Sequence, residues 1–316
     1  METTPAHVAR SMVETALLVA AGPLVTGFIQ KLKARLQCRR GASVWQPYRD
    51  LAKLLRKGTV QSDTASGFFG AIPVFVLAAT LTAAAMLPVL WAPRGPAPLP
   101  LGDAILLVAL LALARFLLAI GALDAGGAFG GMGASREMTV GLLVEPALML
   151  AVFSVAVSGG TTDVSLLAAR RQALAFSWTA PDLLALFAML ILALAETGRI
   201  PVDNPDTHLE LTMLHEGMLL EHSGPGLACI ALATHVKQLV ILTLVAALFL
   251  PLGLAGGWGI AKIALALGAF GLKIFVLATF LGLVESSYAK LRFFRVPQFL
   301  GLGFVCAFLA LALRVL

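Results

Sequence analysis

Residues 68–91 read FFGAIPVFVLAATLTAAAMLPVLW, a run of 24 residues without a charge. A helix crosses the ~30 Å hydrocarbon core of a bilayer with about 20 predominantly apolar residues, and this stretch is long enough. Working outward from it, seven more apolar runs lie at about 10–30, 102–123, 138–158, 181–198, 226–250, 260–284 and 296–316. The run at 181–198 is the weakest, because its uncharged stretch, Leu183–Ala195, is short. Composition agrees: 59% of residues are hydrophobic, 13% are charged and mean hydropathy is +0.93. A soluble domain carries about 25% charged residues, so the polar shell that a soluble core requires is missing here. The expected fold is an all-α integral membrane protein, a bundle of about eight transmembrane helices with short amphipathic cytoplasmic helices. It forms one polytopic domain over 1–316.

The basic residues fix orientation. The loop at 31–60 holds Lys31, Lys33, Arg35, Arg39, Arg40, Arg49, Lys53, Arg56 and Lys57. With eight spans it lies on the same side as the loops near 124–137, 199–225 and 285–295. The opposite side carries far fewer cations, so the basic side is expected in the cytoplasm and both termini outside. The net charge of +6 is explained by this bias, without a nucleic-acid partner. No basic leader precedes the first apolar run, which is expected to stay as a helix. Within the first loop, QPYRDLAKLLRKG (46–58) places Leu51, Leu54 and Leu55 on one helical face with Lys53, Arg56 and Lys57 around it. Pro47 suits its first turn and Gly58 its stop, which predicts a short helix lying flat at the interface, either as a lipid anchor or as a functional surface.

The most polar stretch is IPVDNPDTHLELTMLHEGMLLEH (200–222), with five carboxylates and three histidines. Thr207 and Glu210 fit a capping box and predict a helix over about 207–222. Leu211, Leu214 and Met218 would form its apolar stripe, bordered by His208, His215 and His222 on one side and by Glu210 and Glu221 on the other. A metal site fits poorly, because histidines seven apart on one helix are about 10 Å apart along its axis. A solvated polar face and a proton-handling or partner-docking site both remain open. The three cysteines, Cys38, Cys229 and Cys306, are far apart and in no CxxC pattern, so no iron–sulfur or zinc centre is expected in this chain.

Carboxylates also lie inside or at the ends of apolar runs, at Asp124, Glu145, Glu196 and Glu285, with Arg115, Lys237, Lys262 and Lys273 among them. A charge at the bilayer centre costs at least about 2.5–3.5 kcal/mol on insertion scales, so it faces a bundle interior, a partner or water. For Glu145 and Glu196 two readings compete: protonation near neutral pH through burial, or ion pairs with Arg115 or Lys237. Asp124, Glu285 and Lys237 are further proton-transfer candidates. Lys262 and Lys273 could instead snorkel to an interface.

At this point the residues resemble a known family. ETGRIPVDNPDTHLELTMLHEGMLLEHSG (196–224) is similar to the signature loop of the membrane subunit shared by respiratory complex I and the energy-converting, membrane-bound NiFe hydrogenases. RRGASVWQPYRDLAKLLRKG (39–58), SREMTVGLLVEPALM (135–149) and AKLRFFRVPQFLG (289–301) also match the pattern. The stretch from Pro201 to Glu216, with Asn204 and His208, looks like the hydrogenase-4 and formate hydrogenlyase branch.

The resemblance implies a membrane anchor and proton-coupling subunit with no self-contained active site. Its partners would be a NiFe large subunit and an iron–sulfur small subunit, which hold the cofactors, and antiporter-like membrane subunits. Glu145, Glu196, Glu210 and Glu221 would handle protons. Arg199 and Asp203 would organise the loop. The loops at 31–60 and 199–225, with Gln46, Asp50, Lys53, Asn204, His208, His215 and His222, would dock the peripheral arm. The expected place is a prokaryotic cytoplasmic membrane. The alternatives are a quinone-binding complex I subunit and a stand-alone ion transporter.

Overall fold

The computed structural model describes residues 4–91, 102–173, 178–203, 214–257 and 259–316. Among these the chain is helical, with no strand. The helices are α1 (Thr4–Leu36), α2 (Gln46–Leu55), α3 (Ile72–Ala85), α4 (Ala104–Asp124), α5 (Ala128–Gly159), α6 (Val164–Ala173), α7 (Ala180–Glu196), α8 (His215–Leu219), α9 (Gly224–Phe249), α10 (Ile260–Ser287) and α11 (Val296–Val315). Every expected apolar run contains a helix. Six helices among the described residues are long and apolar enough to cross a membrane: α1, α4, α5, α9, α10 and α11. The helices α3, with 14 residues, and α7, with 17, are shorter, roughly 21 and 26 Å at 1.5 Å per residue.

The stretch that most clearly reads as one uninterrupted span is therefore broken. Pro88 explains where: it lacks an N–H, its ring would clash with the carbonyl of Ala84, and it disfavours helical geometry at Leu87. The helix ends at Ala85, and residues 86–91 continue as buried, non-helical chain. Such backbone is tolerated at membrane depth only where protein supplies its hydrogen bonds. Glu14 of α1 does so. Its Oε1 accepts from the backbone nitrogens of Val89 (3.1 Å), Leu90 (2.7 Å) and Trp91 (3.1 Å). The carbonyl of Leu90 in turn accepts from Ala255 N at 2.7 Å, tying this segment to the chain that leaves α9.

The helix starts follow local chemistry. Asp103 caps α4 by accepting from Ile105 N, and Thr179 with Asp182 forms a capping box on α7. Prolines sit in the first turns of α3, α7, α9 and α11, where a missing N–H costs nothing. The helix α9 is central, packed by α1, α3 and α7, while α11 packs on α5 and α7, and α10 mainly on α1. Gly22 lets α1 approach α9, since a Cβ there would sit 3.0 Å from the carbonyl of His235. At the end remote from the basic loops, Asp182 pairs with both Arg171 of α6 and Arg314 of α11.

Two local expectations change. The surface helix is present as α2 but stops at Leu55, before Gly58, and Leu55 stays 59% exposed within this chain. The helix expected over 207–222 is helical in its described part only over His215–Leu219, and a turn follows at Leu220–Glu221. Its expected apolar stripe holds at Leu214 and Met218, both buried. Leu211, with Asn204, Thr207, His208 and Glu210, lies outside the described residues.

Candidate functional site

The loops expected on one side do meet on one face. Ser223 Oγ donates to the carbonyl of Val60 at 2.6 Å and accepts from Val60 N at 2.7 Å. Gly224 has φ +54°, and a Cβ there would lie 2.6 Å from the carbonyl oxygen of Gly58, so the join requires glycine. Asp203, almost fully buried, accepts from Leu214 N (3.3 Å) and His215 N (3.4 Å) and pairs with Lys290 Nζ at 2.7 Å. It thus clasps together the two chain ends that flank 204–213 and fastens them to the chain after α10. Asp124 accepts from the backbone and hydroxyl of Ser66, at 3.0 and 2.8 Å, fixing the end of α4 to the chain before α3.

Beneath this face lies a buried ion network. Arg115 of α4 is 4% exposed, and its guanidinium is shared by three carboxylates. Glu196 of α7 stands 2.5 Å from Nη2, Glu145 of α5 stands 2.6 Å from Nη1, and Glu137 of α5 stands 3.4 Å from Nε. The second oxygen of Glu196 is 2.8 Å from Lys237 Nζ on α9. The next residue, Gln238, belongs to a second cluster: its Oε1 accepts from Arg199 Nη2 at 2.8 Å and from Thr26 Oγ1 at 2.9 Å. Arg199 also reaches Glu285 of α10 at 3.0 Å, and Lys33 of α1 lies 3.4 Å from the other oxygen of Glu285. Two clusters of polar contacts therefore meet at successive residues of α9: one runs from Lys33 at the basic end of α1 to Gln238, the other from Lys237 to the partly exposed carboxyl of Glu145 inside α5.

The charge in these clusters is unevenly placed. Among the described residues four cations meet four carboxylates. Of these described residues the Arg115 half holds two cations and three carboxylates, and Arg199 and Lys33 share the carboxylate of Glu285. This excess of acids over bases surrounds Arg115. A cavity of about 30 Å³ adjoins it, lined by Arg115, Glu137, Lys237, His215, Thr80 and Thr234. That is room for water, with polar groups to hold it.

Of the two readings of Glu145 and Glu196, the geometry displays the ion-paired one, with the partners Arg115 and Lys237 named from sequence. Glu285 and Arg199 join the neighbouring cluster, and Asp203 and Asp124 serve the loops. His215 reaches the cavity and stands 3.3 Å from Thr234 Oγ1. His222 stacks on Phe69, with ring centroids 4.4 Å apart and planes 4° from parallel, and burial pushes its pKa down to about 4. Glu221 lies against Gly127, where a Cβ would meet its Oε1 at 2.6 Å. Gln46 donates to Asp50 at 2.8 Å on the exposed face of α2, where Lys53 is also exposed. Sequence reasoning missed Glu14, Glu137, Gln238, Thr26 and the ion pair of Lys33. The one signal for Glu137 was its place eight residues before Glu145 on one helix. Among the described residues, no cluster of three metal-ligating side chains occurs, and Cys38, Cys229 and Cys306 are all free.

The fold and the site define a polytopic membrane protein with paired charges inside the bundle and a knitted basic face. The family profile described as NADH dehydrogenase matches residues 9–315, and the chain belongs to this family. It is 36% identical to hydrogenase-4 component C of Escherichia coli, over 95% of this chain and 93% of the relative. It is also 36% identical to formate hydrogenlyase subunit 4 of the same organism, over 95% and 96%. Identity to an NADH-quinone oxidoreductase subunit of Syntrophobacter fumaroxidans is 27%, over 94% and 89%. A chain of the membrane-bound sulfane sulfur reductase, an archaeal respiratory membrane complex, shares the fold. That match has a TM-score of 0.82 at 20% identity and covers 98% of this chain and 99% of that one. The chain is a multi-pass membrane protein of the kind found in multi-subunit respiratory oxidoreductases.

Proposed function

We propose that this chain anchors a soluble NiFe-hydrogenase arm to a prokaryotic cytoplasmic membrane and transmits its redox events to proton movement, in a complex of the hydrogenase-4 and formate hydrogenlyase type. The basic face lies in the cytoplasm and receives the arm, both termini lie outside, and antiporter-like subunits sit alongside in the membrane. The nickel–iron centre and the iron–sulfur clusters belong to the partners. The two 36% identities over nearly the whole chain support the hydrogenase branch over the quinone-binding alternative.

The observation that carries the reading is a pair of buried clusters, Lys33–Glu285–Arg199–Gln238 and Lys237–Glu196–Arg115–Glu145, that meet at successive residues of α9. A charge change at the face alters the field on Glu285 and Arg199. The adjacent half, with more acids than bases, answers by taking up or releasing a proton. This is a coupling free energy between two sites, and it acts in both directions. No catalytic group is required of this chain.

Glu196→Gln in the intact complex tests it. Hydrogenase activity with an artificial electron acceptor is expected to stay within about twofold of wild type, while proton movement coupled to hydrogen turnover falls at least tenfold. A variant that assembles and couples normally would remove Glu196 from this coupling.

A further inference from the structure

Near the middle of the spans the described charged groups have partners, apart from Lys273. Lys237 has Glu196, Lys33 has Glu285, Arg115 has three acids and Glu14 has three backbone N–H groups. Lys273 is half-buried on α10, and no described carboxylate pairs with it. It is the 14th of the 28 residues of α10, about 20 Å from either helix end and so near the bilayer midplane. Its four-carbon stem cannot carry the ammonium from there to a headgroup. Lys262 is different: it shares this edge of the helix but stands in the first turn and is exposed, where snorkelling suffices.

At 100° per residue, Lys273 lies at the border of the buried stripe formed by Ala266, Phe270, Ile274 and Leu277. Beyond it the edge continues through Ala269, Val276 (52% exposed) and Phe280 (37% exposed). The helix α10 packs mainly on α1, and Ala269 lies against Gly253 of the chain leaving α9, so the edge is open from Lys273 through Val276 and Phe280.

We infer that the Lys273 edge of α10 docks a transmembrane helix of a second membrane subunit, one that carries a carboxylate at the depth of Lys273. The charge selects this occupant. Lipid tails offer no counter-ion, and lipid phosphates lie too far from the midplane. Among the described residues of a second copy, the partly exposed span carboxylate is Glu145, and Arg115 already holds it at 2.6 Å. The inference rests on the reading of the chain as one subunit of a multi-subunit membrane assembly.

A photo-crosslinking amino acid at Val276, in the complete complex within native membranes, tests the assignment. The expected adduct is a transmembrane segment of another subunit with an Asp or Glu within one helical turn of the linkage. Adducts to lipid alone, to a segment without an acid, or to a second copy overturn it. Lys273→Glu is expected to lower recovery of that subunit at least fivefold, and placing Lys at the partner's acid restores it. Unchanged recovery, or a loss that the reciprocal change leaves unrepaired, overturns it as well. If wild-type chain purifies with no other subunit at all, the assembly reading itself fails, an outcome distinct from a complex that co-purifies while Val276 meets only lipid.

Discussion

Arg115 and Glu196 meet at 2.5 Å, each with a side chain 2% exposed, and neither spends its whole valence on the other. Arg115 turns its remaining nitrogens to Glu145 and Glu137, and Glu196 turns its second oxygen to Lys237. Removing one member of a buried pair costs about 3–5 kcal/mol, because the other is left charged and unmatched. Arg115→Met takes the cation from Glu145 and Glu137 and leaves Glu196 with Lys237 alone, and it is expected to destabilise by at least that much. Adding Glu196→Gln to it leaves fewer acids crowded together and should recover part of the loss. Thermal melting of the detergent-solubilised complex would reveal this as a double variant more stable than Arg115→Met alone. A strictly additive pair would argue against the shared network.

Glu14 holds the broken end of α3 with a single oxygen that serves three N–H donors. Leaving a buried donor unmatched costs about 1–3 kcal/mol. Glu14→Ala strands three at once, whereas Glu14→Gln keeps a carbonyl oxygen in the same place. The alanine variant is therefore expected to melt well below the glutamine variant, with faster amide exchange at Val89, Leu90 and Trp91. Equal melting and exchange would mean that these amides find another acceptor.

Much of this arrangement was legible in the sequence, and the illegible part has a common cause. Hydropathy located every spanning or near-spanning helix, and the basic loops identified the face that Ser223 and Val60 knit together. Charges stranded in apolar runs pointed to Glu145, Glu196, Arg115 and Lys237. Glu14 was missed because one acid early in the first run reads as an interface residue. Its partners lie 75 to 77 positions away and are backbone amides, which leave no pattern in side-chain chemistry. Gln238 and Thr26, 212 positions apart, are ordinary polar residues on separate helices until packing brings them within 2.9 Å. The break in α3 did have a local sign in Pro88, but the absence of charge around it outweighed that sign.

His222 makes the loop face sensitive to acid. Stacked on Phe69 and 6% exposed, it is held in the neutral form, with a pKa of about 4 against about 6.5 in the unfolded chain. Between those values the unfolded state binds the proton that the folded state refuses, so stability rises with pH across the window. The contribution of neutral His222 is complete above about pH 6.5 and declines as pH falls towards 4, where both states are protonated. His222→Phe keeps a ring against Phe69 and removes the titration. The expected result is faster amide exchange and proteolysis of residues 214–224 at pH 5 than at pH 7.5 in the wild-type chain. That difference should shrink severalfold in the variant. A pH response of the same size in His222→Phe would assign the sensitivity to another group on this face.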